Sequence, residues 1–95
     1  MTGVDHGELA MAAKRLGELA AELYKRGFSA RVLATDQRLR VWVQNRSLSQ
    51  LSEVVYAASD GDGAWWIWWS WDDQIASIDD VDTAAFKIAY VLTPA

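Results

Sequence analysis

Residues 64–73 read AWWIWWSWDD and place five of the chain's six tryptophans within seven positions. So dense an aromatic run favours a strand, and a strand sends successive side chains to opposite faces. Trp65, Ile67, Trp69 and Trp71 then share one face, and Trp66, Trp68 and Ser70 the other. Only one of those faces can meet the core of a small domain, so the even-numbered indoles need a different cover. An aromatic side chain buries roughly 150–250 Å², and several left on one face make a patch of the size that marks interaction sites.

The rest of the chain supplies the layers around this run. Ninety-five residues, 52% hydrophobic and 23% charged, are the balance of one globular domain with a single core. With no cysteine, disulfides, thiolate nucleophiles and cysteine metal sites are excluded. MTGVDHGELA has neither a basic segment nor an apolar run of leader length, and no stretch is long and apolar enough for a membrane span. The expectation is a cytoplasmic protein. Net charge is −4, distributed as −2 over residues 1–24, +5 over 25–46 and −7 from 47 onward. These blocks offset one another across a folded surface, and they also leave a basic strip in the middle of the chain.

Asp5 and Glu8 have capping-box spacing. Leu9, Ala12, Leu16, Leu19 and Leu23 then recur at three and four, which predicts an amphipathic helix over about residues 6–26. Glu22 and Arg26 form an i,i+4 pair, and Gly27 is placed to end the helix in the left-handed region. After it the period falls to two. In FSARVLATDQRLRVWVQN a turn at Asp36–Gln37 pairs Ala34 with Leu39, Val32 with Val41 and Ala30 with Val43 on one face. Arg31, Leu33, Arg40, Trp42 and Gln44 occupy the opposite face, with Arg31 across from Trp42 in a position to stack on it.

Residues 48–58 fit helical spacing through Leu48, Leu51, Val55 and Ala58, but EVVY followed by Asp60-Gly61-Asp62-Gly63 favours a strand and hairpin. A two- or four-residue loop there puts Val54, Tyr56 and Ala58 on the face of Trp65, Ile67, Trp69 and Trp71. Glu53, Val55 and Ala57 then join Trp66, Trp68 and Ser70. A turn at Asp72–Asp73 leads to a short edge strand at Ile75–Ile78, and Asp79 or Asp80 caps a last helix. Val81, Ala84, Ala85, Ile88 and Leu92 form its apolar stripe. Phe86 and Tyr90 lie on roughly the opposite side, so this helix needs two neighbours: the sheet, and helix one or another subunit. The predicted fold class is α+β: an N-terminal helix, an antiparallel sheet of four to five strands built from two hairpins plus a short edge strand, and a C-terminal helix. Both helices pack on one face of the sheet.

The chemistry for catalysis is thin. His6 is the lone histidine and stands at a helix start, and the pairs Asp72–Asp73 and Asp79–Asp80 sit where turns and caps favour aspartate. Asp60-Gly61-Asp62-Gly63 lacks the further ligands of an EF-hand, and no P-loop or dinucleotide fingerprint occurs. The expectation is a non-enzyme with no cofactor and no metal. Its candidate site is the open sheet face with Arg31, Arg40, Trp42, Trp66 and Trp68, where Trp42, Trp66 and Trp68 are more exposed than Trp65, Trp69 and Trp71. The expected occupant is a protein, either another chain or a second copy in a homodimer. The alternatives are single-stranded nucleic acid, stacked on tryptophan and held by arginine, or a saccharide or other small ligand on the flat rings. The competing account of Trp66 and Trp68 is cover by a loop, the chain ends or long arginine stems.

AWWIWWSWDDQIASIDD followed by AAFKIAYVL resembles the C-terminal half of a family of short actinobacterial proteins, over about residues 53–92. The resemblance implies a bacterial intracellular setting and carries no activity. Where those relatives have glycine after the last tryptophan, this chain has Asp72.

Overall fold

The computed structural model describes residues 6–35 and 38–94. Helix α1 spans His6–Lys25, followed by β1 (Phe28–Thr35), β2 (Arg38–Asn45), β3 (Ser52–Ser59), β4 (Trp65–Trp69), β5 (Gln74–Ser77) and helix α2 (Val81–Val91). The strands form one antiparallel meander in chain order. Helix α1 lies over β1 and β2, while α2 packs against β5 and α1, so the two helices share one side of the sheet as the residue pattern predicts. Among the described residues no helix is long and apolar enough to cross a membrane.

The α1 stripe buries Ala12, Leu16, Leu19 and Leu23 completely. They meet Val41, Val43, Val55 and Ile67 from the sheet and Ala84, Ala85 and Ile88 from α2 in one core cluster. Gly27 takes φ +98°, and the helix closes through Arg26 N–H to Leu23 carbonyl at 3.0 Å. Since Arg26 is beyond the last helical residue, Glu22 pairs with Lys25 at 3.5 Å rather than with Arg26. The capping role expected of Asp5 and the turn at Asp36–Gln37 lie outside the described residues; Thr35 and Arg38 pair across that turn.

The first hairpin has the predicted register, with Ala30 opposite Val43, Arg31 opposite Trp42 and Val32 opposite Val41. Residues 52–59 form a strand, as EVVY suggests, but the second hairpin corrects the predicted pairing. Val55 faces Trp69, Ala57 faces Ile67 and Ser59 faces Trp65. Five residues, 60–64, therefore make the loop, one more or three more than expected, and an odd loop reverses which β3 residues share a face with β4. The cause is local. Asp60 Oδ1 accepts from the backbone N–H groups of Asp62 (2.8 Å) and Ala64 (3.0 Å), Asp60 N–H donates to the Ala64 carbonyl at 2.7 Å, and Gly63 sits at φ +88°. An Asx turn of this kind competes with the two-residue hairpin that Asp-Gly otherwise favours. Val55 and Ala57 consequently belong to the core, and Val54, Tyr56 and Ala58 to the other face.

Pairing between β4 and β5 shifts at Ile67/Trp68, so that Ile67 opposes Ala76 and Trp68 opposes Gln74. The extra residue is Ile75, and this bulge lets both Ile75 and Ala76 point into buried space. Lys87 from α2 donates its ammonium to the Ile75 carbonyl at 2.8 Å. Asp80 caps α2, its carboxylate accepting from Thr83 N–H, and Arg15 reaches both Glu18 (3.0 Å) and Asp79 (3.4 Å), which ties α1 to the start of α2. At the other end Asn45 Nδ2 donates to the Leu92 carbonyl at 2.9 Å.

Candidate functional site

The face of the sheet turned away from both helices carries all five predicted site residues. Arg31 and Trp42 are neighbours across β1 and β2. Arg40, Tyr56 and Trp68 form one row across β2, β3 and β4, and Trp66 stands in the next row beside Ala58. Trp42 and Trp66 thus mark two ends of the face, four residues or about 13 Å apart along the strands. Arg40, Tyr56 and Trp68 lie between them.

The even-numbered indoles are half-buried although no helix covers them. They lie down on the sheet, because each ring N–H is satisfied close by. Trp66 Nε1 donates to Asp60 Oδ2 at 2.9 Å and Trp68 Nε1 to the Ala58 carbonyl at 3.0 Å. Trp68 is parallel to Tyr56, with ring centres 6.1 Å apart and planes 7° off. Tyr56 in turn donates its hydroxyl to Asp72 Oδ1 at 2.6 Å. Hydrogen-bonded, mutually packed rings surrender little rotamer freedom on contact with a ligand, which favours binding. A groove of about 620 Å³ runs beside Tyr56, with Arg38 and Arg40, Val54 and Ala58, and Asp72 among its walls.

Electrostatically the face is divided. Arg31, Arg38 and Arg40 make the β1–β2 half basic, whereas the carboxylates at the β4 side are already engaged by Trp66 and Tyr56. The Trp66 indole, then the Asp62 backbone N–H, holds the Asp60 carboxyl below its ordinary range. The hydrogen bond to Asp72, with burial second, pushes the Tyr56 phenol up to about 12. A raised phenol pKa stabilises the fold fully below the unfolded value near 10. That contribution is lost as pH climbs through about 12. Ultraviolet titration of the phenolates, with Tyr56→Phe subtracted, should give a midpoint near 12 for Tyr56. Asp72→Asn should bring it back toward 10; an unchanged midpoint would show that the carboxylate is not responsible.

Three expectations are corrected. Trp71 is not a core residue: it is 49% exposed. Strand alternation stops at Trp69, whose N–H reaches the Asp73 carbonyl and whose own carbonyl accepts from Asp72 N–H. The chain turns with Asp72 at φ +70°, in the left-handed region that glycine adopts most freely. Trp71 stacks on Trp69 at 4.9 Å instead. The predicted exposure order accordingly holds against Trp69, 8% exposed, and fails against Trp71, while Trp65 is half-buried like Trp42, Trp66 and Trp68. Lastly, Arg31 stands opposite Trp42 without stacking on it, whereas the Arg46 guanidinium does lie over a ring, 4.4 Å from the centre of Tyr24.

Tyr56, Arg38 and Asp72 are the site residues that sequence reasoning missed. Tyr56 was displaced to the wrong face by the loop parity, and the signal that could have placed it is the Asp60 side chain, which suits a longer Asx-turn loop as well as a tight one. No group of three or more His, Asp or Glu side chains among the described residues is arranged to hold a metal ion.

The geometry defines a class before any relative does: a five-strand α+β meander with helices on one side and an aromatic-and-arginine face on the other. Comparison with protein-family models, with curated proteins and with solved structures gives no match to this chain.

Proposed function

We propose that the protein is a non-catalytic binding module which takes an acidic, partly apolar segment of another protein on the open face formed by Arg31, Arg40, Trp42, Trp66 and Trp68. Tyr56 is at the centre of that face and Arg38 at its margin. The observation that carries this reading is the immobilised aromatic surface: Trp66 and Trp68 are each hydrogen-bonded back onto the chain, on the side of the sheet that both helices leave open. Rigid Trp and Tyr rings beside Arg are the side chains that most often dominate protein interfaces. The three arginines of the β1–β2 half select carboxylates in the partner and steer its approach. A bacterial cytoplasmic setting belongs to the same proposal.

The test is the Trp66→Ala/Trp68→Ala double variant. Partner recovered on the immobilised native protein should bind the variant at least about 30-fold more weakly, the effect of losing one or two central tryptophans. The variant should still melt cooperatively, a few degrees lower because Asp60 loses its indole donor. A non-cooperative variant would mean that these rings are structural. Single-stranded nucleic acid is the second reading, supported by the Tyr56–Trp68 pair beside Arg40. It forecasts salt-sensitive binding of single strands that disappears on Arg31→Ala/Arg40→Ala. The net charge of −4 opposes it, and a flat titration at low salt is expected.

A further inference from the structure

The most exposed large apolar side chains are not on the sheet. Phe86 is 61%, Tyr90 77% and Val91 50% exposed on the outer side of α2; Tyr24 on α1 is 61% exposed beneath Arg46, and Trp71 in the β4–β5 turn is 49% exposed. Phe86, Tyr90, Val91 and Trp69 border a common hollow of about 330 Å³ with Lys87, whose ammonium is held by the Ile75 carbonyl, and Trp71 stacks on Trp69 and carries the aromatic surface toward the β4–β5 turn. A second hollow, about 470 Å³, flanks the same helix between Phe86, Tyr90 and Arg26. The helix needs two neighbours, and within the chain α1 and the sheet both cover its inner stripe.

We propose that a second copy of this chain docks on this surface, giving a two-fold dimer in which the two α2 helices cross antiparallel. Area, shape and charge each point to that occupant. Three aromatic side chains of roughly 150–250 Å² each, about half to three-quarters exposed, and Val91 together offer about 350–500 Å² of apolar surface. One side of a standard-size interface buries about 800 Å², roughly 60% of it apolar, which is the same quantity. Asp82, Phe86 and Tyr90 recur at i, i+4 and i+8 and stand as one ridge, with a hollow on either side of Phe86 and Tyr90. Ridges of this spacing pack into each other's grooves, and a two-fold axis lets one surface serve as both ridge and groove.

Charge selects the direction. Asp82 stands at the N-terminal end of the ridge and Arg26 beside its C-terminal half, at the hollow it shares with Tyr90. In an antiparallel crossing centred on Phe86, Asp82 of each copy meets Arg26 and Tyr90 of the other, and the helix dipoles also oppose favourably. A parallel crossing would set Asp82 against Asp82. The dimer leaves both open sheet faces free, so it presents two copies of the proposed partner site and gains avidity toward a partner carrying two segments.

Sedimentation equilibrium across micromolar to submillimolar protein tests this. The native chain should move from 10.6 kDa toward twice that mass as concentration rises. Phe86→Glu/Tyr90→Glu, at exposed positions, should keep the native circular dichroism and cooperative melting while raising the dimer dissociation constant about 100-fold or more. Asp82→Arg and Arg26→Asp should each weaken the dimer about tenfold, and the two together should restore it. A chain that stays monomeric throughout overturns the proposal, as does a dimer insensitive to Phe86→Glu/Tyr90→Glu. A dimer that dissociates on Trp66→Ala/Trp68→Ala instead would place self-association on the sheet face and also overturn it.

Discussion

Val55→Asp is expected to unfold the protein, whereas Val54→Asp, one residue away, leaves it folded with a stability loss of about 1 kcal/mol. Val55 is fully buried between Val41 and Trp69, on the face that α1 closes. A carboxylate there either remains charged without a partner or takes up a proton, and either course costs several kcal/mol. A chain of this length has a total stability of only about 5–14 kcal/mol, so about 4 kcal/mol or more from one side chain empties much of the native state. Val54 is half-buried on the open face, opposite Trp42, where a charge keeps its water. Denaturant unfolding followed by circular dichroism reads both variants. The reverse result, a folded Val55→Asp and an unfolded Val54→Asp, is what a four-residue loop would require, and it would overturn the register described here.

The second large effect lies inside the tryptophan run. Ile67→Ala should cost about 2–5 kcal/mol, the usual range for an isoleucine cut back in a closed core. For a domain of this size that lowers the melting temperature by about 10–30 °C. Ile67 is fully buried and opposes both Ala57 and Ala76, so flanking strands have little bulk with which to fill the space left behind. Trp68→Ala removes a larger side chain but one that lies on the open face, with its ring already in contact with water. Its cost should be smaller than that of Ile67→Ala. Calorimetry of the two variants compares them directly; a greater loss for Trp68→Ala would mean that the even-numbered side of β4 is the better-packed one.

Much of this architecture is readable before folding, and the reason is periodicity. Leu16, Leu19 and Leu23 recur at helical spacing and are buried by α1; Val41 and Val43 alternate with Arg40 and Trp42 and are buried by β2. The register of the first hairpin is equally legible because both of its strands alternate over eight residues. The second hairpin misleads. Val54, Val55, Tyr56 and Ala57 are all acceptable in a core, so the strand has no polar side to orient it, and its parity passes to the loop. The loop is decided by hydrogen bonds from one carboxylate, Asp60, which hydropathy does not register.

The candidate face shows the same division. Arg31, Arg40 and Trp42 are placed by the first hairpin, and Trp66 and Trp68 by alternation along β4. Tyr56 joins them only through the five-residue loop, and Asp72 only through a turn that folds back to reach the Tyr56 hydroxyl.

From its sequence alone this protein has its two helices, the segments that become strands and the inward direction of Trp65, Ile67 and Trp69, because side-chain period is a property of neighbours in the chain. Three things were decided only on folding: the face that Tyr56 occupies, the release of Trp71 from the core, and the exposure of Phe86 and Tyr90. The first two are set by hydrogen bonds that hydropathy does not register, in the Asp60 loop and in the turn at positive φ, and the third by where two helices come to lie. Hydropathy period encodes none of these, since the same apolar residue satisfies it in a core, on an open sheet or on an exposed helix face.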